Sequence, residues 1–130
     1  MIVGIGLDVV ELGRMENLLA GSSKIRFVTR VLTEKEYAAW QLLAPRRALE
    51  YIGGRFAAKE AVVKALGCGI GSIVGFQDIE VLPDERGKPL CTLSIAAIRR
   101  LGWENEHFQL HLAITHERKL AAATALVEKV

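Results

Sequence analysis

Glu60 and Lys64 stand one helical turn apart in the stretch RFAAKEAVVKALG (55–67), a charged pair in a segment otherwise built for burial. At 3.6 residues per turn, Ile52, Phe56, Val63 and Leu66 form a bulky apolar stripe. Gly54, Ala57, Ala58, Ala61 and Ala65 form a small-residue face roughly opposite. A helix apolar on two sides is expected to be covered on both, which leaves Glu60 and Lys64 on the seam. Charges beside a core lose hydration unless a partner replaces it, and the partner can be the other charge, a metal or a phosphate. As an ordinary helix ion pair the two would contribute on the order of 0.2–0.5 kcal/mol and carry no chemistry.

A second carboxylate comes from the start of the chain. Residues 2 to 10 alternate as a strand, with Val3, Ile5, Leu7 and Val9 on one face and Ile2, Gly4, Gly6 and Asp8 on the other. Glycines in a strand mark the close approach of a backbone or a ligand, so Asp8 projects from a face cleared of bulk. If the fold brings Asp8 to Glu60, the two offer a pair of oxygen ligands. That number suits Mg²⁺, which keeps several waters and takes its remaining ligands from substrate phosphates. Arg46, Arg47, Arg55, Lys64 and Lys88 are a basic set available to a polyphosphate. Gly87, in the loop Arg86 to Pro89, allows that loop close to a ligand. His116 ends a strand whose inward face is Leu110, Leu112 and Ile114, a position open to a structural or a catalytic role.

Other chemistries fit less well. The glycine run at 67 to 71 follows a helix C-terminus, where the macrodipole disfavours anions, and it matches neither the Walker nor the dinucleotide spacing. It reads as a C-cap or hinge. Asp8, Glu11 and Glu60 could suggest glycoside hydrolysis, but an aromatic content of 6% leaves little stacking surface for sugars.

The elements that must position these residues follow from patterning. The 130 residues, 51% hydrophobic with three prolines, are expected to form one compact domain, 1–130. A net charge of +2 calls for neither nucleic acid nor an anionic membrane. Cys68 and Cys91 are too few for a disulfide framework and read as reduced thiols. With no signal-peptide pattern and no bilayer-spanning stretch, the expected setting is cytosolic. Helices are expected from about Glu11 to Leu19, from Ile25 to Val31 with Ser23 as cap, and from a Thr33/Glu36 capping box through Leu43. A long one runs from Pro45 through Leu66 and stops at Gly67. Asp78 to Leu82 and Leu90 to Ser94 read as strands, Ile95 to Leu101 as a short helix, and Phe108 to Thr115 with Leu120 to Val127 as a hairpin. The pattern is α+β with an antiparallel sheet packed against a long central helix.

Taken together, these blocks resemble the holo-acyl-carrier-protein synthases, the small bacterial class of 4′-phosphopantetheinyl transferases. The matching segments are GIGLDVVELGRM (4–15), FVTRVLTEKE (27–36), GRFAAKEAVVKALGCGIG (54–71), FQDIEVLPDERGKP (76–89) and HLAITHERKLAAATALV (111–127). They cover nearly the whole chain in order. The resemblance implies the 4′-phosphopantetheinyl transferase-like fold. It also implies transfer of the phosphopantetheine arm of coenzyme A to a serine of an acyl carrier protein, in support of fatty acid biosynthesis, with adenosine 3′,5′-bisphosphate left behind. Asp8 and Glu60 match the family's Mg²⁺ ligands and Lys64 its phosphate-contacting lysine. Arg55, Lys88 and one of Arg46 or Arg47 match the basic region around the nucleotide phosphates. His116 matches the closing histidine, and Arg14 the helix surface that meets the acidic carrier. The family forms trimers with active sites between subunits. Thr115 stands where the family usually has serine, which keeps the hydroxyl. Lys59 also matches the motif but falls within the bulky stripe, where structural support is the expected role.

Phosphoryl transfer needs charge neutralised and two oxygens aligned. Glu60, through water, is the expected base for the carrier serine, with His116 the alternative. The competing readings are a coenzyme A or carrier-binding module without turnover, and a small trimeric structural protein whose seam charges set register.

Overall fold

The computed structural model describes all 130 residues, Met1–Val130. Strand β1 (Ile2–Glu11) leads into helices α1 (Leu12–Ala20), α2 (Lys24–Val31), α3 (Glu34–Gln41) and the 22-residue α4 (Pro45–Leu66). A 3-10 turn at Phe76–Asp78 precedes β2 (Ile79–Pro83) and β3 (Pro89–Leu93). Helix α5 (Ile95–Leu101) and the hairpin strands β4 (Phe108–His116) and β5 (Leu120–Lys129) complete the order. This is the expected α+β architecture. The strands divide into two antiparallel sheets, β1-β5-β4 and the separate pair β2-β3, and α4 packs on the first.

Local signals account for most boundaries. Pro45 occupies the first turn of α4, and Gly67 ends it with φ 83°, a left-handed cap that glycine adopts without Cβ strain. Thr33 and Glu36 form the reciprocal capping box of α3. That helix ends at Gln41 rather than Leu43; Leu42 keeps near-helical dihedrals (φ −87°, ψ −5°), and the chain is extended at Ala44 (φ −64°, ψ 156°), as the following Pro45 requires. Ser23 precedes α2 but does not cap it: its backbone (φ −91°, ψ 10°) is not in the extended conformation a capping hydroxyl needs.

The sheet and α4 meet over small residues. Gly4, Gly6, Asp8 and Val10 share the side of β1 that faces the helix, and Ala121, Ala123, Ala125 and Val127 share the corresponding side of β5. A Cβ on Gly4 would lie 1.8 Å from the carbonyl oxygen of Ala65, and one on Gly6 1.9 Å from that of Ala61. No side chain fits there, so backbone touches backbone. The opposite face of β1 carries Val3, Ile5, Leu7 and Val9, and Ile5, Leu7 and Val9 remain 69%, 61% and 54% exposed.

The bulky stripe of α4 divides: Ile52 and Phe56 pack toward α2 and α3, where Val28, Val31, Leu32, Trp40 and Phe76 are also buried, whereas Val63 and Leu66 join the larger cluster that includes the sheet. Within this region Lys59 is fully buried. Its three ammonium hydrogens have three acceptors: Val31 O at 2.7 Å, Glu36 Oε1 at 2.7 Å and Phe76 O at 3.1 Å. Glu36, also fully buried, accepts from Thr33 N at 2.8 Å and Val81 N at 2.7 Å. Burial pushes the Lys59 ammonium below its ordinary pKa, and the Glu36 carboxylate pulls in the opposite direction. One ion pair thus joins α4, the end of α2, α3, the 3-10 turn and β2.

Removing one partner strands the other charge in the interior. Glu36→Ala or Lys59→Ala is therefore expected to cost about 3–5 kcal/mol. Urea unfolding followed by circular dichroism measures it, and a loss below about 1 kcal/mol would show that water replaces the missing partner.

Candidate active site

The contact between β1 and α4 sets up the first cleft. Asp8 lies two residues beyond Gly6 on the helix-facing side of the strand, and Glu60 adjoins Ala61, the residue whose carbonyl meets Gly6. Both carboxylates line one cleft of 300 Å³. Met15, Leu18, Phe27 and Phe56 supply apolar walls, and Arg14, on the exposed side of α1, stands at the same cleft.

Burial raises the Glu60 carboxyl above its ordinary pKa, the neighbouring Asp8 carboxylate raises it further, and Lys64 partly offsets both. Lys64 is not paired with Glu60. Its half-exposed ammonium donates to Asp8 Oδ1 at 3.0 Å and to the Leu7 carbonyl at 3.0 Å. The seam is thus more open at Lys64 than its sequence position suggests, and its counter-ion comes from the strand.

A second cleft, of 380 Å³, lies on another edge of α4. Arg47, Glu50, Tyr51, Gly54 and Arg55 line it from the helix, Ile114 and His116 from β4, and Pro83, Gly87 and Pro89 from the β2-β3 end. The Arg55 guanidinium lies 4.0 Å from the centre of the Tyr51 ring and donates to Val81 O at 3.3 Å. Arg55 Nε and the Tyr51 hydroxyl are buried with no hydrogen-bond partner. Burial, as the larger effect, raises the Tyr51 hydroxyl pKa, while Arg55 works against it. Two unsatisfied donors in a cleft carrying two arginines and a histidine suit an anionic oxygen acceptor.

The superfamily profile of the 4′-phosphopantetheinyl transferases matches residues 4–125. The chain belongs to this superfamily. It is 46% identical over 130 residues to the holo-[acyl-carrier-protein] synthase of Bacillus velezensis, covering all of this chain and 98% of that protein. The corresponding synthase of Geobacillus kaustophilus is 48% identical, with all of this chain and 92% of the relative covered. The crystal structure of a holo-(acyl-carrier-protein) synthase from Bacillus anthracis in complex with CoA (3′,5′-ADP) superposes with a TM-score of 0.85. It is 42% identical and covers all of this chain and 99% of its own.

Within this transferase fold, Asp8, Glu60 and Arg14 share one cleft, and Arg47, Arg55 and His116 share the other. Arg46 and Lys88 stand outside both. Arg46 donates to Arg118 O at 2.8 Å and to Glu50 Oε2 at 3.2 Å, so its guanidinium is spent on the β4-β5 turn. Lys88 lines a separate 770 Å³ cleft between β3 and β4, although Gly87 and Pro89 beside it border the arginine cleft. Arg55 and Glu60 are separated by about 140° around the helix and roughly 7.5 Å along it, so one helix cannot aim both at one ligand atom.

Tyr51, Glu50 and Glu36 were not among the candidates read from sequence. The i,i+4 spacings of Arg46 with Glu50 and of Tyr51 with Arg55 were the available signals, and each looks like ordinary helix decoration until β4 is placed beside it.

The donor set of the first cleft fits a hard divalent cation. Asp8 and Glu60 are both oxygen ligands on rigid elements, and their mutual repulsion is a charge that a cation would neutralise. No cluster of three or more His, Cys, Asp or Glu side chains is assembled anywhere in the fold. A metal at this cleft would have Asp8 and Glu60 as its ligands from this chain and would leave its other positions for water or phosphate.

The raised Glu60 carboxyl has a measurable consequence. Its folded-state pKa exceeds the unfolded one, so the folded chain holds this proton more tightly; the ionised group costs stability at pH 7 and nothing once both states are protonated, below about pH 3. In metal-free protein, Glu60→Gln is expected to leave the urea midpoint at pH 7 unchanged or raised, by under about 1 kcal/mol because the site is open to solvent. The difference from the parent should shrink as pH falls through the carboxylate range and vanish below about pH 3. A midpoint lowered at pH 7 would mean that the carboxylate is held by favourable contacts.

Proposed function

We propose that the chain acts as a holo-[acyl-carrier-protein] synthase, moving the 4′-phosphopantetheine arm of coenzyme A onto a serine of an apo acyl carrier protein. The observation that carries this reading is the meeting of Asp8, Glu60 and Lys64 at the β1-α4 contact, in a chain related over its full length to such synthases. The whole of residues 1–130 serves as a single transferase domain. The setting is the cytoplasm and the physiological role is fatty acid biosynthesis. No helix is long and apolar enough to cross a membrane.

The serine Oγ attacks the β-phosphorus of coenzyme A, the bond to the bridging oxygen breaks, and adenosine 3′,5′-bisphosphate leaves with the electron pair. Asp8 and Glu60 would hold Mg²⁺, which when bound supplies charge neutralisation at the pyrophosphate. Lys64 exchanges its Asp8 contact for phosphate and offsets charge on the bridging oxygen. Glu60, acting through a water, accepts the serine proton, with His116 the alternative base. Arg47 and Arg55, with the unsatisfied Arg55 Nε and Tyr51 hydroxyl, take the anionic nucleotide end, and His116 presents its ring beside them. Lys88 adds its charge from the neighbouring loop. The Phe27, Phe56, Met15 and Leu18 walls suit the uncharged arm, and Arg14 attracts an acidic carrier.

Two clefts on different edges of one helix favour a site completed by another copy. The exposed Val3, Ile5, Leu7 and Val9 face is an apolar patch of the kind that marks a protein interface. A homotrimer, with the carboxylate cleft of one subunit against the arginine cleft of the next, reconciles the two features.

Incubation with coenzyme A, Mg²⁺ and an apo carrier, followed by mass spectrometry of the carrier, tests the reading. The expected result is a carrier heavier by one phosphopantetheine, absent after chelation and reduced at least about a hundredfold in Glu60→Gln. Near-normal transfer by Glu60→Gln at saturating Mg²⁺ would sink its assignment as metal ligand and base, and a carrier of unchanged mass with the parent protein would sink the activity itself. Sedimentation tests the assembly: the parent is expected to run as a trimer and Ile5→Glu as a folded, inactive monomer. An active monomer would exclude an interfacial site.

A further inference from the structure

His116 is 48% exposed at the last residue of β4, immediately before the tight turn to β5. Packing encloses only about half of a side chain there. Two contacts from α4 supply what packing does not. Glu50 Oε2 lies 3.4 Å from His116 Nδ1, and the same oxygen accepts from Arg46 Nε at 3.2 Å. Arg46 Nη2 donates to the carbonyl of Arg118 at 2.8 Å and reaches that of Glu117 at 3.5 Å, which ties down the turn that follows the histidine. One helical turn thus sets a carboxylate beside the Nδ1 edge of the imidazole and ties down the backbone that follows it.

We propose that Glu50 is a positioning residue for His116, and that Arg46 acts behind it by orienting the Glu50 carboxylate and clamping the β4-β5 turn. A carboxylate 3.4 Å from Nδ1, within ion-pair range, favours the ring proton on that nitrogen and leaves Nε2, on the other side of the ring, for a ligand. The same cleft holds Arg47, Arg55 and Tyr51, with Glu117 and Arg118 in the adjoining turn. Glu50 is the one acidic side chain lining it. In a site for an anionic nucleotide an acid would be repulsive if it faced the ligand; engaged by Arg46 on one side and His116 on the other, its charge is turned to orientation instead. Arg46 thereby takes a role distinct from the phosphate contact its sequence position suggested. The assignment of a ligand to His116 rests on the synthase reading, whereas the Glu50–His116 relation does not.

Nitrogen-15 NMR of the imidazoles in the full-length protein at pH 8 reads the tautomer directly. The signals lost in His116→Gln identify this ring. His111 is an internal contrast, since its Nε2, not its Nδ1, meets a carboxylate, that of Glu128 at 3.0 Å. The parent is expected to carry the His116 proton on Nδ1, and Glu50→Ala to shift it to Nε2. Glu50→Gln, whose amide oxygen still accepts, should retain the parent form, and Arg46→Ala should weaken it. In the transfer assay, Glu50→Ala is expected to raise KM for coenzyme A roughly tenfold with kcat changed far less. An unchanged His116 tautomer in Glu50→Ala, with the urea midpoint preserved, would overturn the proposal. A tautomer that shifts in a protein whose parent transfers nothing would leave the positioning intact and sink the synthase reading alone.

Discussion

Everything at the candidate active site depends on the absence of side chains between β1 and α4. Gly4 and Gly6 let the strand lie against the Ala65 and Ala61 carbonyls at distances no Cβ could share. Two rigid elements in backbone contact bring Asp8 and Glu60 to one cleft, although neither is placed by the other. The cost is electrostatic: two carboxylates, one of them partly desolvated, face the same space. Lys64 meets that cost in the unliganded chain by pairing with Asp8 rather than with its helix neighbour Glu60. The same period-2 alternation that turns Gly4, Gly6 and Asp8 inward turns Val3, Ile5, Leu7 and Val9 outward. A register slip of one residue would bury the apolar row, expel Asp8 and drive branched side chains into the helix backbone.

The rotation of α4 about its axis is the second requirement, and the Lys59–Glu36 pair supplies it. Hydrophobic side chains in this position would tolerate a small roll of the helix, because apolar contact is not directional. An ammonium with three acceptors from three other segments is less tolerant: each hydrogen bond lost in a roll leaves a buried polar group unpaired. Glu60 follows Lys59 directly and lies about 100° further round the helix. Fixing Lys59 in the α2-α3 core therefore fixes Glu60 at the edge and the small-residue face on the sheet. Apolar residues of similar volume could match the stability of this pair. Geometry is what they would not reproduce.

Much of this fold was legible in sequence because its signals are local. Pro45, Gly67 and the Thr33/Glu36 box mark helix ends through covalent geometry and short-range hydrogen bonds, and the alternation in β1 needs only its own residues. Asp8 and Glu60 were legible as candidates because glycine beside one and alanine beside the other advertised close packing. What escaped was pairing across the fold. Glu36 looked complete as a capping residue, yet its carboxylate also serves Lys59 and Val81 N. Lys64 had a plausible partner four residues back and takes one from β1 instead. Arg46 and Arg47 are adjacent and equally basic, but the 100° between them sends one to the β4-β5 turn and the other to the arginine cleft. Residue type and spacing cannot separate such cases, since what decides them is the position of segments 23 to 72 residues away.

That same angular constraint bears on why the candidate site is divided. The residues suited to a cation and those suited to a nucleotide lie on α4 within two turns of each other, which in sequence reads as one constellation. On the helix surface Arg55 and Glu60 diverge, and the sheet and the α2-α3 core fill the two faces between their edges. Their points of attachment are held apart by the helix itself, with core packed on its faces. In the proposed homotrimer, a ligand held at both a metal-facing and an anionic end would span the carboxylate cleft of one subunit and the arginine cleft of the next. The exposed apolar row on β1 is contiguous in sequence with Asp8 and lies on the reverse of the strand that carries it. Association through that row would set the distance between the two half-sites by the same strand that sets Asp8 against Glu60, so that one element governs both the chemistry within a subunit and its completion by the next.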